Sequence, residues 1–236
     1  MLLAWPARER ETAFGWVLQA TDGQSGRVNS TWPIGWTGEV ALADAIGHVE
    51  AWYGQRGRPA WFRLADRLAA PAELAPALAA RGYTADTHTL VMTRALAAEQ
   101  GDAGVAIDDH ASDVFLEPMR EAAPSAADFA ERRDVVSRSP SPRAFALLAA
   151  DGRPAAVGAS VAIDELAMIF LMRTAPWAQR RGLARRVLRA LMAWARENGA
   201  RTAYLQVEAA NGPAVALYES EGFATAYSYV YWRPRG

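Results

Sequence analysis

The run Gln179-x-x-Gly182-x-Ala184 is where the types and spacing of residues first suggest chemistry. It stands between a strand-like segment and an amphipathic one, so it reads as a tight loop opening a helix. The first turn of a helix leaves backbone N–H groups unpaired, and the helix dipole makes that end positive. A glycine there lets backbone approach a ligand without a Cβ in the way. The chemistry offered is a cradle for an anion, above all a pyrophosphate.

Other chemistries are removed by absence. The 236 residues contain no cysteine, which excludes a disulfide framework, a thiolate metal site and a cysteine nucleophile. All 25 basic residues are arginine, so Schiff-base chemistry and a Walker-type lysine are excluded too. The three histidines, His48, His88 and His110, are scattered, and no metal site is expected. A net charge of −1 does not select nucleic acid as a partner. The first ten residues are too short and too soon charged for a signal peptide, and no apolar run is long enough to span a membrane. A cytoplasmic protein, monomeric or homodimeric, without membrane association is the expectation.

The elements that must position the cradle follow from turns and periodicity. Residues 11–20 read as a strand, and 27–32 as its return strand after Asp22-Gly23 and Ser25-Gly26. A helix is predicted over 39–55, a strand over 60–64, a helix over 71–80 and a strand over 87–93. Residues 95–104 read as a linker. Helices are predicted over 113–121 and 126–136, and strands over 145–149, 155–163 and 168–172. The helix after the cradle, 181–198, places Leu183, Val187, Leu188, Leu191 and Trp194 on one face and arginines on the other. A strand over 203–207, a helix over 213–221 and a hairpin from Phe223 onward complete the chain.

The second half repeats the first. Ala51-Trp52 and Gly57 match Ala193-Trp194 and Gly199 at the same spacing, and Arg81-Gly82-Tyr83 matches Glu221-Gly222-Phe223. In that alignment Gly182 falls on Val40, Gln179 on Thr37, Ala184 on Leu42, Asn211 on Pro71 and Tyr218 on Leu78. Fold-forming positions are kept and the polar ones are lost, so the second copy is expected to hold the chemistry.

The second half resembles the GCN5-related N-acetyltransferase family over about residues 105–232. The resemblance is carried by Thr174-x-Pro176-x-x-Gln179-x-x-Gly182-x-Ala184, by Gln206-Val207-Glu208, and by Asn211-x-x-Ala214-x-x-Leu217-Tyr218-Glu219-x-x-Gly222-Phe223. It implies an α/β (α+β) fold of two acyl-CoA N-acyltransferase-like domains, each a mixed, mostly antiparallel sheet flanked by helices. Residues 1–95 would be a degenerate copy and 96–236 the catalytic domain.

Acetyl-CoA is the implied co-substrate, with no metal. Its pyrophosphate would be held by Gln179, Arg180, Arg181, Gly182, Leu183 and Ala184, and its pantetheine by main-chain groups of Met172, Arg173 and Thr174. Asn211 and Ala214 would also touch it. Tyr218 would return a proton to the leaving thiolate. For the base, the family's ribosomal-protein enzymes carry a glutamate where Gln206 stands, and histone-type enzymes one where Met168 stands. Glu208 shares a strand face with Gln206 and is the first candidate; a water chain is the alternative. The acceptor implied is the primary amine of a small molecule or amino acid. Arg27-x-Asn29-Ser30-x-x-Pro33 looks like a feature of a bacterial subfamily often labelled N-acetylglutamate synthase. A non-catalytic acyl-CoA sensor or scaffold is the competing reading.

Overall fold

The computed structural model describes residues 4–67, 70–98 and 100–235. The chain forms two compact units, each discontinuous in sequence. One comprises Met1–Pro6, Met92–Gln206 and Pro213–Ala224; the other comprises Ala7–Val91, Val207–Gly212 and Thr225–Gly236. These units are divisions of packing, whereas the cut expected at 95/96 is a reading of the sequence repeat.

The first unit is built on a sheet that includes β5 (Val105–Asp108), β6 (Arg143–Ala150), β7 (Arg153–Ile163), β8 (Leu166–Thr174) and β9 (Thr202–Glu208, its last two residues in the other unit). Their order is β9-β8-β7-β6-β5. The β5–β6, β6–β7 and β7–β8 pairs are antiparallel, and β8–β9 is parallel. The parallel pair needs a crossover. Helix α5 (Leu183–Glu197) supplies it.

Strand β7 is buried from residue 155 to 162. Both α3 (Asp113–Glu121) and α5 pack on it. Ser112 and Ser125 cap α3 and α4 (Ala126–Arg138) by accepting from the N–H groups of Phe115 and Asp128. On α5 the buried stripe runs through Leu183, Val187, Leu188 and Leu191, as the spacing predicts, while Trp194 is only half-buried. Between β4, which ends at Ala95, and β5 no helix or strand is assigned among the described residues, but the segment is tied to the first unit. Leu96 N–H donates to Arg201 O at 2.7 Å, and Asp102 pairs with Arg186.

The second unit holds the hairpin β1 (Glu9–Ala13) and β2 (Trp16–Ala20), then α1 (Leu42–Gly54), β3 (Phe62–Ala65), α2 (Leu74–Ala80), most of β4 (Tyr83–Ala95) and β10 (Ala224–Pro234). The strand predicted over 11–20 is thus a hairpin and its neighbour. Phe14 and Gly15 take φ of 56° and 79°, the left-handed pair that a two-residue turn requires, and Ala13 pairs with Trp16.

The expected return strand at 27–32 is reduced to isolated bridges, Val17 to Trp32 and Thr31 to Phe62. The expected C-terminal hairpin is one continuous strand, β10, paired antiparallel with β3. Trp16, Leu18, Ile46, Tyr53, Phe62, Leu74 and Leu78 form this unit's apolar core.

Candidate active site

The site begins with a fault in the β7–β8 ladder. Ala159 pairs with Phe170 and Val157 with Arg173, so Gly158 alone faces Leu171 and Met172. This is a β-bulge, and Leu171 carries it with a left-handed φ of 53°. Gly158 is required opposite. A Cβ there would lie 2.4 Å from the Met172 sulfur and 2.9 Å from Leu191 Cδ1.

On its other edge β8 pairs with β9 only from Leu166–Thr202 to Met168–Tyr204. Past that point the two strands part. Met172, Arg173 and Thr174 lie beyond the parting, half-buried, and the Arg173 guanidinium donates to the Met172 carbonyl at 2.9 Å.

From the end of β8 the chain turns through a short 3-10 turn, Pro176–Ala178, into α5. Arg180 and Gly182 both have left-handed φ, 58° and 75°. Gly182 is the N-cap of α5 and supplies no side-chain acceptor, and the first turn carries no acid. The exposed loop therefore presents uncapped N–H groups at the positive end of the helix. A Cβ on Gly182 would meet nothing within 4 Å. Its glycine is needed for conformation more than for clearance.

Aligned by helix start, α1 has Ala41 in this place, one residue from the position the sequence alignment chose. Ala41 has φ −63° and ψ 143°, an ordinary extended cap without the left-handed turn.

The arginines around the cradle are mostly committed. Arg181 pairs with Asp151 at 2.6 Å and holds that carboxyl below the usual carboxylate range. Arg186 pairs with Asp102 at 2.6 Å. Arg185 and Arg189 converge on Glu221, at 2.8 and 2.7 Å, and the Glu221 side chain is only 4% exposed. Among the described residues Arg180 is exposed and makes no ion pair. A polar cavity of about 440 Å³ lies beside the Glu221 cluster, lined by Arg94, Gln100, Arg189, Ser220, Glu221 and Gly222. None of the expected site residues lines it.

Tyr218 and Ala214 lie on α6 (Gly212–Ser220). Tyr218 is 7% exposed, and its ring meets Phe223 edge-on at 6.0 Å. Ala214 is half-buried. Glu208 ends β9 and is exposed; Asn211, also exposed, donates its N–H to the Glu208 carbonyl at 2.9 Å. These last two belong to the second unit's segment, while Tyr218 and Ala214 belong to the first. Backbone continuity thus brings together Met172–Thr174 and Gln179–Ala184, the residues expected to hold the co-substrate, on β8, the loop and α5.

Sequence reading missed the bulge, because neither Leu171 nor Met172 is a turn former. It also missed Glu221 as an anchor; the only signal was an acid at a helix end opposite an arginine-rich face.

Asn29 has a local role. Its amide oxygen accepts from Thr21 N–H at 2.8 Å, and its Nδ2 donates to Thr21 Oγ1, Gly23 O and Ser25 O. Among the described residues one acid–histidine cluster could hold a cation, Asp108, Asp109 and His110, all exposed on the loop before α3. No helix among the described residues is long and apolar enough to cross a membrane.

A family model described as "Probable histone acetyltransferase Rv0428c C-terminal" matches residues 1–232. The uncharacterised N-acetyltransferase YobR of Bacillus subtilis is 26% identical over 243 residues, covering 97% of this chain and 93% of that protein. The ribosomal protein bS18-alanine N-acetyltransferase of Salmonella typhimurium is 40% identical over 79 residues, 34% of this chain and 53% of that one. A GCN5-related N-acetyltransferase from Kribbella flavida shares the fold, with a TM-score of 0.68 at 19% identity, over 98% of this chain and 90% of that structure.

Proposed function

Because the chain belongs to the Rv0428c C-terminal family, within the GCN5-related N-acetyltransferases, we propose that it moves an acetyl group from acetyl-CoA directly to a primary amine. The observation that carries this reading is the parting of β8 from β9 beside a left-handed, uncapped start of α5. An extended pantetheine arm can pair with free strand edge, and a pyrophosphate suits the helix N-terminus. When bound, acetyl-CoA supplies an activated thioester carbonyl.

On this reading the chain's own residues bind, orient and move a proton. Main-chain groups at Met172–Thr174 hold the arm, with Asn211 and Ala214 touching it. The N–H groups and side chains of Gln179–Ala184, Arg180 foremost, hold the phosphates. Tyr218 protonates the leaving thiolate, a general-acid contribution on the order of 10²–10⁴-fold. Glu208, or water in its place, accepts the amine proton. Residues 1–95 form a degenerate copy and 96–236 the working one; the conformation of Ala41 beside that of Gly182 supports this.

The acceptor is a small molecule or amino acid. The bS18 enzymes act on a ribosomal protein, but the glutamate of that class is replaced here by Gln206. Met168, where histone-type enzymes carry an acid, is 1% exposed and cannot serve. An acceptor of the N-acetylglutamate-synthase kind is the alternative. Calorimetry with acetyl-CoA tests the core of the reading: no binding heat at roughly 100 μM ligand overturns it. Binding without thiol release across a panel of amines would instead favour an acyl-CoA sensor.

A further inference from the structure

The sheet of the second unit has two faces, and only one belongs to its apolar core. Residues opposed across a ladder share a face, and neighbours along a strand alternate. Phe62, Leu64, Trp16 and Leu18 face the core under α1 and α2. The opposite face therefore carries Arg63 and its ladder partner Tyr231, then Tyr229, two residues along. The bridges of Thr31 with Phe62 and of Val17 with Trp32 add Trp32 and Gln19 to the same face.

A second face that meets water would be exposed and charged. This one is buried: Gln19 is 0% exposed, Arg63 and Tyr229 1%, Trp32 3% and Tyr231 4%. The Arg63 guanidinium lies 3.7 Å from the centre of the Trp32 ring and 5.4 Å from that of Tyr229. The loop at Gly26 closes over it so tightly that a Cβ would come within 2.7 Å of the Tyr231 ring. Asn29 locks that loop. Arg27, beside Gly26, and Tyr227 are half-buried, so they mark the edge nearest solvent.

Buried polar atoms without partners are costly and point to something unaccounted for. Among the described residues neither the Oε1 nor the Nε2 atom of Gln19 has a hydrogen-bond partner, and nor does the Trp32 indole nitrogen. Arg27 and Arg63 both act on Tyr229 and Tyr231. The carboxylate acting on Tyr227 is Asp66, whose oxygens already accept from Ser228 N–H at 2.9 Å and Ser228 Oγ at 3.0 Å. Guanidiniums walled by aromatic rings, with an amide and an indole N–H alongside, match a planar carboxylate on a small molecule.

We propose that this buried face is a binding site for a small carboxylate-bearing molecule such as a free amino acid, held by Arg27 and Arg63 together with Trp32 and Gln19. Binding at this face does not depend on acetyl transfer. Only the further step, that the carboxylate is carried by the acetyl acceptor, rests on the proposed function.

The test is calorimetry on the full chain with L-amino acids, each beside its α-amide, and with inorganic phosphate. Acetyl-CoA binding is measured separately on every variant. At least one amino acid is expected to bind at least about tenfold more tightly than its amide. Arg27→Gln should weaken it by about ten- to a hundredfold, and Gln19→Leu, of similar volume, by about tenfold, with acetyl-CoA binding unchanged.

A second readout is the phenolate absorbance. Burial alone would raise the Tyr229 pKa, but Arg27 and Arg63, together with hydrogen bonds to Tyr231 and Thr89, hold the phenol below its ordinary value. A bound carboxylate offsets those charges, so the phenolate should appear at higher pH. Equal binding of acid and amide, binding of phosphate alone, or an unaltered preference in Arg27→Gln overturns the proposal. Loss of acetyl-CoA binding with the amino-acid preference intact overturns only the acetyl-transfer reading.

Discussion

Gly158 and Met172 face each other across the β7–β8 ladder with no room between them for a methyl group: a Cβ on Gly158 would sit 2.4 Å from the Met172 sulfur. One glycine therefore lets the bulge at Leu171–Met172 close against α5, and it does so next to where β8 leaves β9. Gly158→Ala is expected to destabilise the protein by about 1–3 kcal/mol, the usual cost of overpacking. It should also raise the KM for acetyl-CoA by displacing Met172. Denaturant unfolding and steady-state kinetics check both; wild-type stability would show that the methionine moves aside freely.

Gly182 makes a different demand. Its φ of 75° is costly for any residue with a Cβ, although the space around it is open. Gly182→Ala should cost about 1–2 kcal/mol of backbone strain and weaken acetyl-CoA about tenfold. Calorimetry and unfolding on the same preparation separate the two effects. The equivalent change at Gly38, whose φ is 71° on the approach to α1, should lower stability and leave acetyl-CoA affinity as it was.

Tyr218 is tested by removing one oxygen. Tyr218→Phe keeps the ring that packs on Phe223, so stability should be within about 1 kcal/mol of wild type. The turnover rate should drop on the order of 10²–10⁴-fold, and the alkaline limb of the pH–rate profile should vanish. Full activity at neutral pH removes the acid assignment without touching co-substrate binding.

Asp102 reports on the segment 95–104. The Arg186 hydrogen bonds, then the Gly104 N–H, hold its carboxyl at about 2. Because this lies below the unfolded value of about 4, the pair's contribution is complete above about pH 4 and fades as pH falls toward 2. In a carboxyl NMR titration, Arg186→Gln should move Asp102 up toward the ordinary range. An unmoved titration would mean that the ion pair does not persist in solution.

Much of the architecture is local and was legible in the chain itself. Helix starts and ends, the Gly182 turn and the order strand–helix–strand–helix depend on a few neighbouring residues, and these elements lie within a few positions of where periodicity puts them. The absence of cysteine and lysine restricts the chemistry through composition alone, and the motif around Asn211 and Tyr218 carries the family resemblance. What the tertiary structure decided is non-local. The bulge at Leu171 exists because Gly158, thirteen positions away, gives it room. The segment after Trp16 bridges to Trp32 and the last eleven residues of strand run as one, because pairing partners come from elsewhere in the chain. Asp151, Asp102 and Glu221 claim Arg181, Arg186, Arg185 and Arg189 through contacts 30 to 84 residues apart in sequence. Arg63 and Gln19 read as ordinary strand residues; only folding turns both onto one buried face with Trp32, where desolvation makes an unmatched polar atom costly.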